Sequence, residues 1–132
     1  MSSYVSADLR RFVASRAENI CEYCLIHESD TYLGCQVDHI ISEKHGGATE
    51  PENLAFACAF CNRMKGSDIA SIASSTGELT RLFNPRIDHW SNHFDLQGFL
   101  IQPRTPIGEA TLRILRLNDT ERIRERETLC QI

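Results

Sequence analysis

Two pairs of cysteines, Cys21/Cys24 and Cys58/Cys61, share the spacing Cys-x-x-Cys. Each pair can close a tight knuckle, and together they offer four thiolates in a tetrahedron. Zinc favours such a set because it is borderline soft and has no d-electron preference for another geometry. Between the pairs stand Asp38-His39, Gly46-Gly47 and Asn53-Leu54; directly after the last cysteine come Asn62, Arg63 and Lys65. An Asp-His dipeptide alone is common. Its place between two matched cysteine pairs is what singles it out. A redox dithiol or structural disulfides are the competing readings of the cysteines. Cys35 and Cys130 have no partner at metal spacing, and read as a small apolar strand residue and a helix residue near the terminus.

These groups need elements to hold them. Ser6 can cap a helix whose apolar residues Leu9, Phe12, Val13 and Ala17 recur at helical spacing, with Arg10, Arg11 and Arg16 facing outward. Residues 19–24 follow as a knuckle and residues 27–34 as a polar loop. Residues 35–41, with β-branched Val37, Ile40 and Ile41, read as a strand, so Asp38 and His39 leave it from opposite faces. His45-Gly46-Gly47-Ala48 is a turn signal, residues 54–57 read as a second strand, and residues 58–65 suit the start of a helix. The order strand, loop, strand, helix thus spans residues 35–68.

On these residues the chain resembles the HNH endonucleases that carry a four-cysteine zinc site on a ββα-metal fold, most strongly from about Arg10 to Lys65. The three positions that name that family are here His39, Asn53 and Asn62, which makes this chain an HNN variant. The resemblance implies His39 as general base, Asn53 as the residue that ties down the inter-strand loop and helps fix the orientation of His39, and Asp38 and Asn62 as holders of one divalent ion. Two hard oxygen ligands favour Mg²⁺ or Mn²⁺ there over zinc. Phosphodiester hydrolysis asks for these types: a base for the attacking water and positive charge beside the phosphate. An imidazole titrates near neutral pH and suits the first role. Arg63 and Lys65 are the expected phosphate contacts, with Lys44, Arg10 and Arg11 as weaker candidates.

The expected architecture is α+β: a small zinc-stapled ββα-metal core with flanking helices. We expect a single domain over residues 1–132, with its core at about 10–68 and a helical extension at about 78–132. In the extension, residues 82–86 read as a turn. His89 and His93 are four apart but sit beside Trp90 and Phe94, which favours packing over metal binding. Thr105-Pro106 precedes a helix, and Asn118 with Glu121 has the form of a capping box for a last one. Residues 82–94 and 105–111 resemble the tail that follows the HNH core in many small members, although Glu109 stands where that tail more often has Arg. Arginines 113, 116, 122, 124 and 126 read as an exposed helix face.

Bulk properties bound the function. Fourteen basic against eighteen acidic side chains give a net charge of −4. That is a cost to any nucleic-acid partner, so a phosphate-binding surface must be a local patch. A bound cation adds charge that composition does not count. No run of apolar residues suits a membrane span, and residues 1–5 do not read as a secretory signal, so the expected location is cytoplasmic. The expected activity is metal-dependent cleavage of DNA, with double-stranded DNA as partner, Zn²⁺ as structural ion and Mg²⁺ or Mn²⁺ as catalytic ion. The alternative is a non-catalytic zinc-binding module that binds nucleic acid or protein.

Overall fold

The computed structural model describes residues 4–129. The backbone divides between Asp68 and Ile69 into two compact units. Both mix helices with small antiparallel strand pairs, so the chain is α+β as expected.

In the first unit, helix α1 (Ala7–Arg16) starts where the Ser6 side chain accepts a hydrogen bond from the Leu9 amide. Strands β1 (Cys35–His39) and β2 (Leu54–Cys58) pair antiparallel, with Asp38 opposite Ala55 and His39 opposite Leu54. Helix α2 (Ala59–Lys65) follows without a loop, its N-cap being Cys58. β2 is buried along its whole length, and Val13, Leu54 and Phe56 form a small core that Leu9, Ala17, Cys35 and Val37 cover.

Two expectations about α1 need correction. Phe12 is exposed, and the guanidinium of Arg16 stacks over its ring at 5.2 Å. Arg16 turns inward instead, donating to the carbonyls of Pro51 (2.9 Å) and Leu54 (2.7 Å). Its long side chain reaches one carbonyl in the loop before β2 and one at the first residue of that strand. β1 also ends earlier than the β-branched run suggests. The Ile40 amide still donates to the Asn53 carbonyl, but the Ile41 amide donates to the Asn53 side chain in place of a strand carbonyl.

The second unit combines helices with strands that the expected helical extension did not include. It contains two hairpins, β3 (Ala70–Ile72) with β4 (Leu79–Arg81), and β5 (Phe94–Gln97) with β6 (Leu100–Pro103). Gly98 takes a left-handed φ of 62° in the second turn, as a tight hairpin requires. A single helical turn, α3 (Trp90–His93), precedes β5. Helix α4 (Pro106–Leu115) begins as the sequence indicates, with Thr105 Oγ1 accepting from the Gly108 amide and Pro106 in the first turn. Helix α5 (Thr120–Leu129) does not start from Asn118. That side chain instead accepts from the Ile101 amide (3.0 Å) and donates to the Ile101 carbonyl (2.8 Å). Arg122 is buried, and Arg126 donates to the carbonyls of Phe99 and Leu117, so these two arginines are structural while Arg113, Arg116 and Arg124 are exposed. No helix among the described residues is long and apolar enough to cross a membrane.

Candidate metal centre and motif site

The sulfurs of Cys21, Cys24, Cys58 and Cys61 lie within 4.8 Å of one another, and all four residues are buried. Backbone geometry builds each knuckle. After α1 the chain reverses through left-handed Glu18 and Asn19 (φ 56° and 60°), and Leu25 (φ 67°) closes the first pair. The amides of Cys24 and Cys61 point at the sulfurs of Cys21 (3.5 Å) and Cys58 (3.4 Å).

The Cys24 and Cys58 sulfurs are 3.7 Å apart. A tetrahedron with metal–sulfur bonds of about 2.3 Å has edges of about 3.75 Å, so the spacing fits zinc. Burial pushes the Cys21 thiol well above its ordinary range. Four buried sulfurs ionise together only around a cation. The cluster is therefore arranged for a structural metal such as zinc. Cys35 lies opposite Cys58 in the ladder but outside the cluster, and burial pushes its thiol up to about 12. Cys130 lies outside the described residues.

Gln36 and Asp38 leave β1 on one face, and Asn62 and Lys65, three apart on α2, meet them there. Asn62 Nδ2 donates to Gln36 Oε1, and Lys65 Nζ donates to Asp38 Oδ1 at 3.3 Å. Both members of the ion pair are buried, Asp38 at 3% and Lys65 at 1% exposure. Lys65 also donates to the His39 carbonyl (3.0 Å), and the Tyr23 hydroxyl donates to Asp38 Oδ2 (2.8 Å). Burial pushes the Asp38 carboxyl up, and the Lys65 charge and these hydrogen bonds oppose that rise. Burial also pushes the Tyr23 hydroxyl well up, with the Asp38 charge adding to it. The expectation that Lys65 contacts phosphate is corrected by this geometry: its ammonium is enclosed and committed to Asp38. Arg63 on the same helix is exposed, with its guanidinium 5.5 Å over the Phe60 ring.

His39 sits at the end of β1, half-buried, with Nε2 hydrogen-bonded to Thr49 Oγ1 at 2.9 Å. The loop that carries Thr49 is held by Asn53. Its Oδ1 accepts from the Ile41 amide (2.9 Å), while Nδ2 donates to the carbonyls of Ile41 (2.8 Å) and Ala48 (2.9 Å). Gly47 is essential to this closure. A Cβ there would lie 1.7 Å from the Ile41 carbonyl oxygen and 2.8 Å from Asn53 Nδ2. Asp38, His39 and Asn62, with Ser42 and Ser67, line a cavity of about 290 Å³.

The structure thus gathers Asp38, His39 and Asn62 at one cavity and puts Asn53 behind the loop. Tyr23, Gln36 and Thr49 escaped the sequence reading. Tyr23 lies inside the first knuckle, where nothing in its spacing reveals that it faces Asp38. In the second unit His89 is exposed, and His93 packs edge-on against Phe83 with Nδ1 bonded to Thr105 Oγ1, a structural role.

Residues 21–68 match the family model described as HNH endonuclease. No curated protein and no solved structure matches the chain significantly.

Proposed function

We propose that the HNH segment of this chain is a metal-dependent endonuclease that hydrolyses phosphodiester bonds of double-stranded DNA. One observation carries this reading: Asp38, His39 and Asn62 line the same cavity, next to a separate set of four metal-binding sulfurs. His39 is the general base, taking a proton from the attacking water. Asp38 and Asn62 are the oxygen ligands that would hold Mg²⁺ or Mn²⁺. With the Asn62 amide nitrogen donating to Gln36, its oxygen is the atom left for that purpose. When bound, such an ion supplies Lewis-acid charge at the scissile phosphate. Asn53 keeps the loop beside His39 closed, and exposed Arg63 contacts the phosphate backbone. Lys65 holds the Asp38 carboxylate in place instead of touching the substrate.

The test is conversion of supercoiled plasmid to nicked or linear DNA with Mg²⁺ or Mn²⁺, comparing wild type with His39→Ala. Loss of a positioned base is expected to slow cleavage by about 10²–10⁴-fold. Equal cutting by both proteins removes His39 from the mechanism.

The buried Asp38–Lys65 pair and the net charge of −4 favour a second reading, a non-catalytic zinc module that binds nucleic acid or protein. Here Lys65 itself neutralises Asp38 and no second ion is needed. It calls for tight zinc, no cleavage with any divalent metal, and binding that survives His39→Ala.

A further inference from the structure

The geometry points to Thr49 as a positioning residue that accepts a hydrogen bond from His39 Nε2–H, fixes the neutral ring in that tautomer, and leaves Nδ1 as its basic atom. This inference rests on reading His39 as the general base.

A neutral imidazole carries one proton and one available lone pair, on different nitrogens. His39 Nε2 and Thr49 Oγ1 are 2.9 Å apart, and a hydroxyl can play either role in such a contact. If Thr49 donated, Nε2 would need its lone pair for that bond and the ring proton would sit on Nδ1. Neither nitrogen could then take a proton from water. If Thr49 accepts, Nε2 keeps its proton and Nδ1 presents a lone pair. Protonation at Nδ1 leaves the Nε2–H···Oγ1 bond intact, so the ring does not have to reorient as it becomes imidazolium.

The loop is built to hold Thr49 there. Asn53 Nδ2 donates to the carbonyl of Ala48, the residue directly before it. Gly47, one position earlier, is pressed so closely to the Ile41 carbonyl that a single added carbon does not fit. The backbone up to Thr49 is thereby fixed against the end of β1. Asn53 acts on His39 at one remove, through the Ala48 carbonyl and the Thr49 hydroxyl, with no direct bond between the two motif residues among those described.

The test uses the full zinc-loaded chain labelled with ¹⁵N-histidine. Multiple-bond ¹H–¹⁵N correlation distinguishes the two tautomers, and the signal absent from His39→Gln identifies residue 39. Wild type is expected to show the Nε2–H form in its neutral state. Thr49→Val, which keeps the shape without the oxygen, is expected to give a mixture of both forms, and Thr49→Ser to restore the wild-type pattern. In plasmid cleavage, Thr49→Val is expected to lower kcat about tenfold with little change in KM, a part of what a positioned base contributes. Thr49→Ser should recover it. An Nδ1–H form in wild type, or an unchanged pattern in Thr49→Val, overturns the inference. The wild-type spectrum is decisive even if the valine variant folds poorly. A tautomer that shifts as expected in a protein that cuts no DNA upholds the Thr49 contact and removes only the nuclease reading.

Discussion

Replacing Lys65 by methionine isolates the buried charge pair from everything else in the site. The ammonium lies 3.3 Å from the Asp38 carboxylate and 3.0 Å from the His39 carbonyl. At 3.3 Å and an effective dielectric of about 20, the gross attraction is about 5 kcal/mol. Desolvation of both ions cancels much of that, so the pair adds little net stability over a neutral filling. The single variant is different, because it leaves a buried carboxylate supported by the Tyr23 hydroxyl alone among the bonds described above. That is expected to cost about 3–5 kcal/mol, with about 1 kcal/mol more for the lost bond to the His39 carbonyl. Methionine preserves most of the lysine stem, so the cavity contribution stays small. Asp38→Asn combined with Lys65→Met removes charge on both sides and is expected to recover about half or more of that loss. Zinc-loaded proteins should be compared by urea unfolding with hydrogen exchange read in β1 and β2, since Trp90 reports on the other unit. A Lys65→Met cost below about 1 kcal/mol, or a double variant whose loss equals the sum of the singles, refutes the reasoning.

Two further outcomes follow from the same structure. Purified protein should hold about one zinc per chain, and chelation should abolish hydrogen-exchange protection across residues 21–68, because a core of Val13, Leu54 and Phe56 is too small to replace a structural ion worth about 10–16 kcal/mol in comparable sites; persistence of protection after complete metal removal counts against the sulfur site. In the second unit, hydrogen bonds from Arg81 hold the Asp88 carboxyl below its ordinary value. The folded chain therefore binds that proton less tightly than the unfolded chain. The stabilisation is complete above the ordinary carboxylate value of about 3.9 and is lost as pH falls through the lower folded value. Trp90 fluorescence during acid unfolding should show a weaker pH dependence in this window for Asp88→Asn, and an identical pH dependence would exclude the pair as its source.

The sequence by itself determined the parts of this protein that depend on local spacing. Two Cys-x-x-Cys pairs fix which sulfurs can meet a metal, since a knuckle needs only a few residues of backbone. The strand, loop, strand, helix order follows from turn residues and β-branched runs, and Thr105-Pro106 announces α4 through its cap. The Asn53 side chain bonds only to neighbours within twelve residues, so its contacts too depend on local spacing.

Tertiary structure decided what depends on which surface faces which. Lys65 reads from sequence as a phosphate contact; only the packing of α2 on β1 shows that it is buried against Asp38, twenty-seven positions away. Tyr23 meets the same carboxylate because the first knuckle folds over the strand. The two hairpins of the second unit have strands of three and four residues, too short for alternation to be read, and their partners are chosen by turn geometry and by contacts such as Asn118 with Ile101. Local propensity and spacing are written along the chain, whereas a buried side chain's partner is set by desolvation, which acts only once distant segments have closed around it.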